Sequence, residues 1–154
     1  MEGVRVEITE EAFGAITKHI AIRKRGETGG ILIGRYSPDH LTAKVLSASG
    51  PGKQSLLGLF SFTRRVSGVQ EELDKEFKQG RYYLGEWHCH PGRNHAPSPQ
   101  DIHQMQDISK SSCYNCPEPI LLVVGRDNPT QYISVVLVKD GLCHNLERDN
   151  NGRY

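Results

Sequence analysis

A chain of 154 residues, 36% hydrophobic and 24% charged, has the composition of one globular domain and is too apolar for a disordered chain. Nineteen Lys and Arg against 18 Asp and Glu leave a net charge of +1, without the strong basic excess of a nucleic-acid binder. The longest apolar runs, Ile120–Val124 and Ile133–Val138, are too short to span a bilayer. Met1–Arg5 shows no basic-then-apolar leader, so the expectation is a cytoplasmic chain. Its four cysteines then read as thiols or metal ligands rather than disulfides.

Val4–Ile8 alternates apolar and polar residues, as a half-buried strand does. Thr9 can cap a helix, with Glu10 and Glu11 beside the positive end of its dipole. Phe13, Ile16 and Ile20 share one face of that helix. Arg23, Lys24 and Arg25 are expected in its last turn, with Gly26 as the stop. Ile31–Ile33 and Leu41–Ser47 read as strands joined by a turn at Ser37-Pro38-Asp39. Pro51 and Gly52 break the chain, and Leu57–Phe62 reads as another strand. A second amphipathic helix follows, with Val66, Val69, Leu73 and Phe77 on one face and Gly80 at its end.

Tyr82–His88 is a predicted strand, followed by a loop from Pro91 to Pro97. Ser98 opens a third helix with Ile102, Met105 and Ile108 on its inner side. Ile120–Val124 and Tyr132–Val138 are nearly continuous apolar strands, so both their faces should be covered. Asp127-Asn128-Pro129 turns between them, and Asp140-Gly141 suits a tight hairpin into a last strand near Leu142–Leu146. The pattern predicts a mixed α/β fold: a central mixed sheet of about seven or eight strands with about three helices packed on it. Residues 1–147 are expected to form a single domain and residues 148–154 a flexible tail.

The chemistry concentrates in Glu86-Trp87-His88-Cys89-His90-Pro91 and Ser98-Pro99-Gln100-Asp101. Residues two apart on a strand point the same way, so His88 and His90 share one face and Cys89 takes the other. Two such imidazoles can hold one metal ion, and Asp101, on the first turn of the next helix, is the best third ligand. Zinc with three protein ligands keeps a position for water and lowers its pKa to about 7. Attack on an amide also needs a base, and Glu27, just before Thr28-Gly29-Gly30, is the candidate. Ser98 can donate a hydrogen bond to the oxyanion.

Each part has a plainer reading. A lone His-x-His on a strand is more often incidental than a metal site. Ser98-Pro99-Gln100-Asp101 is also a good helix start, with Ser at the N-cap, Pro at N1 and an acid at N3. Glu27 taken alone is a surface glutamate. The co-occurrence of all the parts favours the catalytic reading.

Glu27, then His88-x-His90, seven residues, then Ser98-x-x-Asp101 resembles the JAB/JAMM (MPN-plus) metalloprotease motif at every defined position. Thr28–Gly34 resembles the strand after that family's catalytic glutamate, and Tyr83–His88 resembles small bacterial members. The resemblance implies a cytidine-deaminase-like JAB/MPN fold. It implies one catalytic zinc on His88, His90 and Asp101, Glu27 as general acid/base, and Ser98 positioning water and oxyanion. The family cleaves peptide or isopeptide bonds after the C-terminus of ubiquitin or ubiquitin-like proteins.

Among bacterial members, the resemblance is to the deconjugating isopeptidases of cyclic-oligonucleotide antiphage (CBASS) operons. There the substrate is a nucleotidyltransferase joined through its C-terminal tail to a target lysine. Operon partners resembling ubiquitin-activating and ubiquitin-conjugating enzymes go with it. Processing of a ubiquitin-like or sulfur-carrier protein in another operon is the alternative, and a non-catalytic MPN scaffold is disfavoured by the intact motif. One departure is Cys89, where the family usually has Ser or Thr; it should face away from the metal and pack. Without the long insertions of eukaryotic relatives, recognition should rest on the substrate's extended tail, added as a strand beside the site.

Cys113-x-x-Cys116 with Cys143 and His144 can be drawn as a second, structural zinc site, but a single C-x-x-C pair reads more simply as ordinary thiols. His19, His40 and His103 read as surface or helix-face residues, His95 as a solvated loop residue, and Trp87 as core. Arg64 and Arg65 read as surface charges.

Overall fold

Ile120–Val124 is apolar at every position because both of its faces are covered. Ile120, Leu122 and Val124 join one buried cluster, while Leu121 and Val123 join another on the opposite side of the sheet. The computed structural model describes residues 4–51 and 73–154. Its elements run β1 (Arg5–Ile8), α1 (Glu10–Ile22), β2 (Thr28–Tyr36), β3 (Thr42–Ala48), β4 (Tyr82–His90), α2 (Pro99–Lys110), β5 (Ile120–Gly125), β6 (Ile133–Lys139) and β7 (Leu142–Leu146). The seven strands form one mixed sheet in the order β1-β3-β2-β4-β5-β6-β7. The pairs β1–β3 and β4–β5 are parallel and the others antiparallel.

The two helices cover opposite faces. Ala12, Ile16 and Ile20 of α1 pack on Val6, Leu32, Val45, Leu84 and Trp87. Met105 and Ile108 of α2 pack on Ile31, Ile33, Tyr83 and Leu121. Each fully buried aliphatic side chain of this kind contributes about 1.5–3 kcal/mol. The mixed α/β architecture expected from the sequence is therefore the one observed. The expected strand at Leu57–Phe62, the helix-face residues Val66 and Val69, and Arg64 and Arg65 lie outside the described residues.

Several local expectations need correcting. Helix α1 starts as foreseen, with the Thr9 hydroxyl accepting from the Ala12 amide. It ends at Ile22, however, so Arg23, Lys24 and Arg25 lie beyond the last turn. Phe13 is only partly buried; Ala12 takes the inner position instead. Residues 73–78 are helical, with Leu73 packed on the α2 side and Phe77 exposed, edge-on to Tyr82. Gly80 turns the chain there at φ +73°. The last residues do not fray: Tyr154 and Val6 exchange backbone hydrogen bonds, so the chain end lies along β1.

Strand β4 is two residues longer than expected and includes both histidines. It also carries a bulge. Leu32 pairs with Gly85 but Ile33 pairs with Tyr83, so Leu84 is skipped. Gly85 has φ +152°, and a Cβ there would sit 1.8 Å from the Ile120 carbonyl oxygen, so only glycine fits. The skip puts Tyr83, Glu86, His88 and His90 on the α2 side, and Leu84, Trp87 and Cys89 on the α1 side.

Candidate functional site

The site forms where the end of β4 meets the start of α2. Alternation along β4 turns His88 and His90 toward α2, and both are buried. The loop from Pro91 to Pro97 returns the chain, and Ser98 caps the helix. The Ser98 hydroxyl oxygen accepts from the Asp101 amide at 3.0 Å, and the Ser98 amide donates to Asp101 Oδ2 at 2.9 Å. This reciprocal capping box fixes the rotamer of Asp101. Asp101 then reaches both histidines: Oδ1 lies 2.7 Å from His88 Nδ1, and Oδ2 lies 3.4 Å from His90 Nε2. The helix-cap reading of Ser98–Asp101 is the one observed, and the same geometry sets the Asp101 carboxylate against both histidines.

The electrostatics follow from these partners. Burial alone would raise the Asp101 carboxyl. The hydrogen bond and charge of His88, with the Ser98 amide and hydroxyl, instead bring it down to about 2. The carboxylate is thus held ionised, as a metal ligand must be. Among the described residues, His90 Nδ1 is buried without a hydrogen-bond partner. Two imidazoles and an ionised carboxylate are a donor set suited to zinc. Asp101 pairs with each histidine, and among the described residues no group of three or more His, Cys, Asp or Glu is arranged to enclose a metal ion.

Glu27 precedes β2. Thr28, the first residue of β2, pairs with Cys89, and Gly29 pairs with His88, so Glu27 lies one residue before the paired register. Its side chain is exposed. The structure thus brings His88, His90, Asp101 and Ser98 together, while Glu27 stands at the entry to β2, the strand paired with β4. Cys89 faces the α1 side, fully buried, as the alternation foretold. Burial raises its thiol pKa, the Glu27 charge adds to this, and the Arg126 charge opposes it.

Several residues near the site make contacts that the sequence reading did not assign. Glu86, two residues before His88 on the same face, is fully buried and accepts from the Tyr83 hydroxyl at 2.9 Å. Alternation counted backwards from His88 is the signal that could have found it. His95 is not a solvated loop residue. Its Nδ1 lies 2.7 Å from Ser134 Oγ, and its ring stacks on Tyr132, which Arg93 also covers at 5.5 Å. These contacts hold the loop between the two ligand elements against β6. Arg126, just after β5, bonds through its amide to the His90 carbonyl at 3.0 Å. No sequence signal marked it.

The remaining thiols stand apart. Cys113 is exposed, Cys116 is buried and Cys143 is partly buried; all are free. The second zinc site weighed for them has no counterpart among the described residues.

Residues 9–138 match the family described as prokaryotic homologs of the JAB domain. The chain belongs to that family. Among relatives, it is 43% identical over 106 residues to a CD-NTase/cGAS isopeptidase of Enterobacter hormaechei subsp. hoffmannii, covering 69% of this chain and 59% of that protein. It is 32% identical over 105 residues to a protein of the same description from Vibrio cholerae, covering 65% and 62%. The chain thus spans about 60% of the length of these curated relatives. The solution structure of protein DSY2949 from Desulfitobacterium hafniense shares the fold, with a TM-score of 0.62 at 19% identity over 92% of this chain and 90% of that one. No helix among the described residues is long and apolar enough to cross a membrane.

Proposed function

We propose that this chain is a JAMM-type zinc isopeptidase that cleaves the bond after the C-terminus of a conjugated protein. The observation that carries the reading is the pairing of Asp101, at a helix start capped by Ser98, with both buried histidines, His88 and His90. The substrate we propose is a CD-NTase joined by its C-terminal tail to a target lysine in bacterial antiphage defence. The similarity to CD-NTase/cGAS isopeptidases supports it over a ubiquitin-like or sulfur-carrier substrate. Operon partners resembling ubiquitin-activating and ubiquitin-conjugating enzymes, and action in the cytoplasm, belong to the same proposal.

His88, His90 and Asp101 would hold the zinc. Zinc in such a set supplies Lewis acidity that makes water nucleophilic at neutral pH. The protein supplies the rest. Glu27 takes a proton from the attacking water and delivers it to the lysine Nε as the carbonyl carbon–nitrogen bond breaks. Ser98 is oriented by its bond from the Asp101 amide. Its hydroxyl oxygen is occupied as an acceptor, so its hydrogen is free to stabilise the developing oxyanion. The products are a free tail carboxylate and a free lysine.

The test is a CD-NTase isopeptide-linked to a carrier protein, incubated with zinc-loaded enzyme. Release of both proteins at the tail's last residue is expected, with Glu27→Gln binding zinc but releasing nothing. Equal cleavage by Glu27→Gln would remove the acid–base assignment. No cleavage of this conjugate, but processing of a ubiquitin-like precursor, would move the substrate to the alternative class.

A further inference from the structure

Arg126 lies a hundred residues from the turn before β2, yet its guanidinium is spent on that turn. Nη1 donates to the Ile20 carbonyl at 2.9 Å and to the Arg23 carbonyl at 2.5 Å. Nη2 donates to the Gly26 carbonyl at 2.8 Å. The first two bonds satisfy carbonyls that the end of α1 leaves open. The third holds the peptide unit that joins Gly26 to Glu27. Gly26 sits at φ +77°, so this peptide sets the direction in which the chain, and Glu27 with it, enters β2.

The same residue also holds the other side of the site. The Arg126 amide donates to the His90 carbonyl, and the next amide, of Asp127, donates to the Gly92 carbonyl. One residue therefore spans from the strand bearing two candidate ligands to the turn bearing the candidate base. Among the described residues its hydrogen bonds all go to backbone carbonyls, so they are independent of which side chains occupy the turn. The guanidinium's planar, multi-donor shape suits this bridging; a lysine ammonium offers a shorter and less directional set.

We infer that Arg126 is a positioning residue for the proposed reaction, fixing Glu27 relative to His90 through the Gly26 carbonyl. The inference rests on the isopeptidase reading above. The side chain governs the Glu27 side only, because the bond to His90 comes from the backbone and survives substitution. A misplacement of about 1 Å in a catalytic group can cost about a hundredfold in rate.

The experiment uses the zinc-loaded enzyme and the CD-NTase conjugate, comparing Arg126→Ala, Arg126→Lys, Glu27→Gln and Ile16→Val well below each variant's melting temperature. Arg126→Ala is expected to lower kcat by about ten- to a hundredfold. Its KM should stay within about twofold and its zinc content should be unchanged. Arg126→Lys should recover part of kcat. Ile16→Val, which loosens the packing of α1 without touching the turn, should lower the melting temperature and leave kcat alone. If Arg126→Ala does not fold, an intermediate kcat in Arg126→Lys still carries the point. Wild-type kcat in both Arg126 variants, with Glu27→Gln inactive, would overturn this inference alone. So would loss of zinc together with kcat, which would place the effect on the ligands. Full turnover by Glu27→Gln would sink the acid–base reading and this inference with it.

Discussion

Asp101 Oδ1 lies 2.7 Å from His88 Nδ1, while Oδ2 of the same carboxylate caps the Ser98 amide at 2.9 Å. One side chain thus both starts a helix and completes the candidate ligand set. The two roles separate by substitution. Asn at position 101 keeps an oxygen for the Ser98 amide but loses the charge. Asp101→Ala should lower apo-protein stability by about 1 kcal/mol, the usual worth of a cap, and Asp101→Asn by less. Both should lose zinc. Thermal unfolding and elemental analysis on the same samples would check this; full zinc occupancy in Asp101→Ala would exclude that residue as a ligand.

The depressed carboxyl of Asp101 also sets a pH dependence. Its folded pKa, about 2, lies below its ordinary 3.8, so the unfolded chain binds the proton more readily. The stabilisation it gives is complete above the ordinary value and is lost as pH falls through about 2. In the metal-free protein, the stability difference between wild type and Asp101→Asn should therefore shrink over that range. A difference that grew on acidification would reverse the assignment.

Cys89 separates metal binding from packing. It is fully buried on the α1 side, with a long contact from Sγ to the His90 carbonyl at 3.8 Å. Cys89→Ser places a hydroxyl among apolar neighbours and should cost about 1–3 kcal/mol of stability. Zinc content and kcat should stay at the wild-type level. A stable Cys89→Ser protein that had lost its zinc would show the thiol faces the metal.

Thiol reactivity should follow burial. Desolvation, with the nearby Glu86 charge, pushes Cys116 up to about 12. Cys113 is exposed. A maleimide at neutral pH should label Cys113 first and reach Cys116 only on unfolding. Mass spectrometry of the labelled peptides distinguishes them; rapid labelling of Cys116 in the folded protein would contradict its burial.

Gly30 marks a close approach behind the site. A Cβ there would meet the Ser49 carbonyl oxygen at 2.0 Å and Trp87 Nε1 at 2.9 Å, and that same carbonyl accepts the Trp87 indole at 2.8 Å. Gly30→Ala should cost about 1–3 kcal/mol or more and disturb β2 next to Glu27. Denaturant unfolding measures the first effect; an unchanged midpoint would mean the strands can part freely.

Local periodicity carried most of the fold. The alternation along β4 places the histidines on one face and Cys89 on the other, and the Thr9 and Ser98 caps are legible in the sequence because capping is a short-range interaction. Asp140 and Gly141 both take positive φ, as their hairpin requires. What escaped were long-range partners. Arg126 acts on Gly26, a hundred residues away, and His95 on Ser134, 39 residues away. Tyr154 pairs with Val6 at the opposite end of the chain. None of these leaves a mark in a short window of sequence. The end of α1 differs from the expectation for the same reason: Arg126 closes the Ile20 carbonyl from across the sequence, while the Arg23 amide closes that of His19.

Elemental analysis of protein purified without chelator tests the zinc assignment most directly. One zinc per chain in the wild type and in Glu27→Gln, with none in His88→Ala, is the expected result. No zinc in the wild type, even after reconstitution, would contradict it.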